Sequence, residues 1–123
     1  MNPEPLADIV DAFVIGEAEP VVEALVEALL DTRSRTERLE RICTLPGVYV
    51  PSLPPSQPVE RLAWDGIVDA PRTSVVISPH AVFPDRFLIE TGRGCPLGCR
   101  FCLAHAIYAP TRYARQDEIL SRA

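Results

Sequence analysis

The sequence predicts an α/β fold, on three observations. Residues 10–17, Val-Asp-Ala-Phe-Val-Ile-Gly-Glu, form a short apolar run that stops at Gly16 and feeds an amphipathic helix, the strand–helix order of an α/β sheet. Residues 86–91, Arg-Phe-Leu-Ile-Glu-Thr, are strand-like and lead into a loop rich in Gly and Cys. Between these segments stand prolines at 46, 51, 54, 55, 58, 71, 79 and 84. Such a series forbids a continuous helix or a central strand and marks an ordered but irregular connection.

Each element follows from its local pattern. Leu6 to Val10 reads as a helix turn or the end of an earlier connection, and the buried strand ends at Gly16. Glu17-Ala-Glu19-Pro20 opens a helix, because Pro suits a first helical turn and acids suit the positive end of the helix dipole. Glu17 and Glu19 are therefore helix-start acids. Val21, Val22, Leu25, Val26, Leu29 and Leu30 recur at helical spacing and predict one apolar face, with Glu23 and Glu27 opposite. Thr32 to Cys43 predicts a second helix with Leu39, Ile42 and Cys43 as its apolar side, closed by Thr44-Leu-Pro-Gly47. Short strands are expected at Val48–Val50 and Ser74–Ser78, a helical turn at Leu103–Tyr108 and a helix start over Gln116–Arg122. Trp64, Tyr108 and Tyr113 read as packing residues, and His80 as a surface residue.

Composition bounds the function classes. Of 123 residues, 47% are hydrophobic, and net charge is −5. Residues 1–84 hold six Arg against thirteen acids, giving −7, while residues 85–123 hold six Arg against four acids, giving +2. An acidic chain with a mildly basic end is a poor nucleic-acid binder on electrostatic grounds, so no nucleic acid is expected as a partner. No apolar run approaches the roughly 20 residues that span a bilayer, and Met1-Asn-Pro-Glu-Pro5 shows no signal-peptide pattern. The expectation is a cytoplasmic, reducing setting without membrane contact, where clustered cysteines bind metal or react more often than they form disulfides.

Cys95, Cys99 and Cys102 are such a cluster, spaced C-x3-C-x2-C. A loop directly after a strand is where ligand sites gather in parallel sheets and barrels. Three thiolates are one short of the four that close a four-iron cubane, and an open coordination position lets a metal centre take a cofactor or substrate. Gly92, Gly94 and Gly98 let the backbone approach a cluster. Arg93 and Arg100 are placed to favour thiolates, and Phe101 offers a flat face to an adenine ring. Adding His105 gives a second option, a three-Cys, one-His zinc site in a small binding module without catalysis. Cys43 reads as a small apolar residue.

The segment Gly-Arg-Gly-Cys95-Pro-Leu-Gly-Cys99-Arg-Phe-Cys102 resembles the cluster motif of the radical S-adenosylmethionine (SAM) superfamily. It is most similar to members with an N-terminal cobalamin-binding domain. Asp11-Ala-Phe-Val-Ile-Gly-Glu-Ala-Glu-Pro20 and its helix resemble the last strand–helix of that domain, and Leu45-Pro-Gly-Val-Tyr49 resembles the interdomain connection. The resemblance implies a [4Fe-4S] cluster on Cys95, Cys99 and Cys102, with Phe101, Gly98 and Arg100 towards SAM. It implies reductive cleavage of SAM to a 5′-deoxyadenosyl radical, an unknown substrate, and an electron donor such as a flavodoxin or ferredoxin.

The implied architecture has three parts. Residues 1–45 would be the end of a doubly wound cobalamin-type domain, 46–81 a Pro-rich connection, and 82–123 the first strand and cluster loop of a (β/α) partial barrel. The family's cobalamin-contacting Asp-x-His-x-x-Gly motif is absent, since neither His80 nor His105 sits in one. The residues after Val82 fall far short of the roughly 250 of a complete barrel. The chain is therefore expected to be a fragment of a larger enzyme, inactive alone, with cobalamin a cofactor of the full-length protein.

Overall fold

The computed structural model describes residues 2–31 and 34–123. It divides into two units, Met1–Trp64 and Asp65–Ala123. Both mix short helices with small antiparallel sheets, so the α/β class holds. Among the described residues no helix is long and apolar enough to cross a membrane.

Unit 1 is ordered β1 (Phe13–Val14), α1 (Val22–Leu30), α2 (Arg35–Ile42) and β2 (Val48–Tyr49), after a 3-10 turn at Glu4–Leu6. Antiparallel pairing sets Phe13 opposite Tyr49 and Val14 opposite Val48, and the Phe13 and Tyr49 rings stack at 6.3 Å between centroids. Among the described residues the parallel, doubly wound arrangement expected of this region is not seen, and parallel pairing is confined to one bridge, Gly16 to Leu62. The reason is one of parity. A single crossover helix returns the chain to lay a parallel strand, whereas α1 and α2 pack on each other and reverse the chain once more, so β2 runs antiparallel to β1.

Gly16 ends the strand as its sequence predicts. Its φ is +107°, and a Cβ there would lie 2.2 Å from the Leu62 carbonyl oxygen, so only glycine permits the Leu62 segment to lie alongside. Pro20 lies in the turn ahead of α1 and not within its first helical turn; the Val22 N–H donates to the Ala18 carbonyl at 2.8 Å. The expected apolar face of α1 is split. Val21 and Ala28 are buried and Leu25 packs beside them, whereas Val22, Val26, Leu29 and Leu30 are exposed. Val21, Leu25 and Ala28 stand at i, i+4 and i+7, the narrow stripe that one packed neighbour can cover.

The expected start of the second helix at Thr32 lies outside the described residues. From Ser34 onward, α2 opens with a capping box in which Ser34 accepts from the Glu37 N–H and Glu37 accepts from the Ser34 N–H. Leu39 and Ile42 turn inward as expected and complete the core with Val21, Ala28, Val48 and Val50. Cys43 caps the helix and packs partly against this core. Gly47, at φ +69°, then turns the chain into β2.

Unit 2 opens with a 3-10 turn, Asp65–Ile67, whose Ile67 is fully buried. The strands expected at 74–78 and 86–91 do run alongside each other, but the pairing closes at a single bridge, Thr73 to Ile89. Pro79 and Pro84 flank the return, and Asp85 takes φ +53°, so the ends leave register before a ladder can extend. The ordered strand begins later, as β3 (Gly92–Arg93), and pairs antiparallel with β4 (Arg112–Tyr113). Its partner among the described residues is thus antiparallel. Between β3 and β4 lie the cysteine loop and α3 (Ala104–Ile107); α4 (Gln116–Leu120) follows, with Asp117 and Glu118 in its first turn.

Candidate metal centre

The cysteine loop departs from and returns to one two-stranded ribbon. Gly92 opposes Tyr113, and Arg93 opposes Arg112. A Cβ on Gly92 would sit 2.8 Å from the Tyr113 ring, so glycine lets that ring cover the ribbon. Gly94 has φ +86°, and a Cβ there would lie 2.7 Å from the Tyr108 carbonyl oxygen and 2.9 Å from Thr111 Cα. Two of the three loop glycines thus serve the protein's own packing. Around Gly98 a Cβ would meet nothing within 4 Å.

All three loop cysteines are free thiols; Cys95 is half-buried, and Cys99 and Cys102 are exposed. The Cys102 N–H donates to the Cys99 carbonyl at 3.1 Å, which closes a turn between those two. His105 Nδ1 lies 3.0 Å from the Cys95 carbonyl oxygen. Phe101 is 92% exposed, so its ring presents an uncovered face. Among the described residues, no group of three or more His, Cys, Asp or Glu side chains is set to hold a metal ion. The chain brings Cys95, Cys99 and Cys102 into one loop without converging them.

The arginines behave differently from their sequence reading. Arg93 forms a two-pronged pair with Glu90, Nε to Oε1 at 2.8 Å and Nη2 to Oε2 at 2.9 Å, so its guanidinium is engaged by a carboxylate. Arg100 is exposed. Arg115 binds Asp117 and lies 3.3 Å from Asp69, and Arg122 lies 3.5 Å from Glu118. The hydrogen bond from Arg115 holds the Asp117 carboxyl below its usual range. Arg93, Arg115 and Arg122 are thus paired with carboxylates of their own segment, which leaves its net charge of +2 in place. Arg112 is the residue the sequence did not flag: it is buried, and its Nε donates to the Pro110 carbonyl at 3.0 Å. Nothing in its neighbours' composition signals burial; only the β3–β4 pairing does.

Comparison with known proteins adds an independent observation. Residues 1–51 match the family described as radical SAM proteins, N-terminal. The match supports membership of the radical SAM superfamily. It ends at residue 51, ahead of Cys95, so the radical SAM signal in the first unit and the motif in the second rest on different residues. An uncharacterized protein of Methanocaldococcus jannaschii is 32% identical over 117 residues, covering 94% of this chain. The chain spans 24% of that relative's length. No solved structure matches.

The donor set fits the group that the radical SAM superfamily implies. Three free thiols on one loop are soft ligands of the type that hold iron–sulfur clusters, and their number leaves one iron of a cubane to another ligand.

Proposed function

We propose that this chain is part of a radical SAM enzyme and carries its cluster loop, with Cys95, Cys99 and Cys102 as the protein ligands of a [4Fe-4S] cluster. The observation that carries the reading is the set of three free cysteines on a loop bounded by one ribbon, in a chain whose first 51 residues match a radical SAM family. When bound, the cluster and SAM supply one-electron reductive cleavage to a 5′-deoxyadenosyl radical. The chain's own residues bind and orient. Gly98 leaves room for close approach of a bulky group, Phe101 offers a ring face to adenine, and Arg100 adds positive charge beside the loop. An electron donor such as a flavodoxin or ferredoxin, a cytoplasmic setting and an unidentified substrate complete the proposal. A zinc-stabilised binding module is not favoured.

The three-part division into 1–45, 46–81 and 82–123 is proposed for the larger enzyme, with cobalamin a proposal on sequence resemblance alone. Two observations support a larger enzyme. The chain spans 24% of its relative, and unit 2 exposes Val75, Val76, Val82, Phe83 and Leu88, apolar surface that a longer chain would cover.

Anaerobic reconstitution of the chain with iron and sulfide tests the reading. It should give a brown protein with about four irons per chain, as the cubane stoichiometry requires, and a spectrum that changes on adding SAM. Replacing Cys95, Cys99 or Cys102 by Ser should abolish it, and replacing Cys43 should not. A colourless product, or a spectrum indifferent to SAM, would overturn the proposal.

A further inference from the structure

We propose that His105 is a positioning residue for the cysteine loop, fixing Cys95 through its backbone carbonyl; the inference rests on Cys95 being a cluster ligand. His105 Nδ1 and the Cys95 oxygen are 3.0 Å apart. A carbonyl oxygen only accepts, so Nδ1 carries the hydrogen and donates it. The donor sits on α3, whose turn is held by Ile107 N–H to Leu103 O at 2.9 Å and Tyr108 N–H to Ala104 O at 3.2 Å. The bond therefore ties the first cysteine, across ten residues of loop, to an ordered turn beyond the last cysteine.

Cys95 is restrained from the other side as well. Gly94 precedes it at φ +86°, packed under Tyr108 O, Thr111 and Pro110 O, and β3 precedes Gly94. The Cys99–Cys102 turn is solvent-exposed, and among the described residues no comparable bond ties it to the rest of the chain. The three cysteines are thus unequal: Cys95 is held in advance, and Cys99 and Cys102 sit on an outer arm. Contacts beyond the ligands themselves set ligand orientation in metal sites, and a ligand fixed beforehand has less conformational freedom to lose on binding.

The geometry supplies a discriminating substitution. The amide nitrogen of Asn stands two bonds from Cβ, as Nδ1 of His does, whereas that of Gln stands three bonds away. His105→Asn keeps a donor where the Cys95 carbonyl needs it, and His105→Gln displaces it. In the metal-free 123-residue chain, site-resolved alkylation with iodoacetamide reads the anchor directly. His105→Ala should raise the Cys95 rate relative to Cys99 and Cys102 by roughly 2- to 10-fold, the scale of one net hydrogen bond. His105→Asn should restore the original ratio and His105→Gln should not.

An unchanged ratio in His105→Ala overturns the inference. So does equal behaviour of the Asn and Gln variants, or a uniform rise at all three cysteines and Cys43, which reports general unfolding. Iron uptake by the unsubstituted chain is scored separately. A chain that shows the Cys95 effect but takes up no iron overturns the cluster reading and leaves the anchor standing. A chain that takes up iron without the Cys95 effect does the reverse.

Discussion

The backbone N–H of Trp64 donates to Glu17 Oε2 at 2.8 Å, and Glu17 is only 8% exposed. The Glu17 N–H in turn donates to the Leu62 carbonyl at 3.1 Å. One residue thus clasps the 62–64 segment to the end of β1 with its side chain and its backbone. Glu17→Ala removes the acceptor from a partly buried donor and should cost about 1–3 kcal/mol. Glu17→Gln, which keeps an oxygen, should cost less. Urea titration of both variants checks the order, and an Ala variant as stable as the parent would show that the clasp is idle.

The loop glycines should separate cleanly. Gly94→Ala forces a Cβ to 2.7 Å from Tyr108 O at a φ of +86°, and should destabilise unit 2 by about 1–3 kcal/mol. Gly98→Ala meets nothing within 4 Å and should leave the stability of the metal-free chain within about 0.5 kcal/mol of the parent. Limited proteolysis of the two variants, read by mass at sites in 65–123, measures the contrast. Equal protection of both would contradict the packing described around Gly94.

Ser34→Ala should unravel the start of α2. It removes the side-chain acceptor for the Glu37 N–H and one half of the capping box, a change worth about 0.5–2 kcal/mol. The expected result is a lower melting temperature with partial recovery in Ser34→Asp, another good N-cap. Identical melts for the Ala and Asp variants would assign the helix start to some other contact.

Tyr49 donates its hydroxyl to Glu4. That hydrogen bond, with smaller contributions from partial desolvation and the Glu4 charge, raises Tyr49 above its ordinary 10.0. The sign follows from linkage. A raised folded value means that the stabilisation is fully present below the unfolded value near 10 and is lost as pH rises through the folded one. Tyrosinate absorbance should therefore show a component ionising above pH 10 that disappears in Tyr49→Phe and moves down in Glu4→Gln. A Glu4→Gln titration that overlays the parent would sever the link.

Much of this was legible in the sequence because it is local. Periodicity found α1 and α2, Gly16 and Gly47 marked their turns, and the apolar pair Val48–Tyr49 found β2. Spacing also put Cys95, Cys99 and Cys102 in one loop. What the sequence hid is pairing. Neither the antiparallel match of β1 with β2 nor that of β3 with β4 leaves a trace in a pattern of period two, because both strands are only two residues long. The same blindness hid the burial of Arg112, and it turned the apolar run 86–91 into a strand that the Pro84–Asp85 return prevents. On α1 the apolar face that spacing predicts is wider than the neighbour that covers it, so Val22 and Val26 belong to that face and stay exposed.

The six-residue core lies wholly in residues 1–64, whereas in residues 65–123 burial is reached only by Ile67, Pro71 and Arg112. Amide protons report that imbalance directly. Those of α2 should exchange with deuterated solvent slowly and those around the cysteines quickly, which would rank the unit that carries the thiols as the one that opens at lower cost.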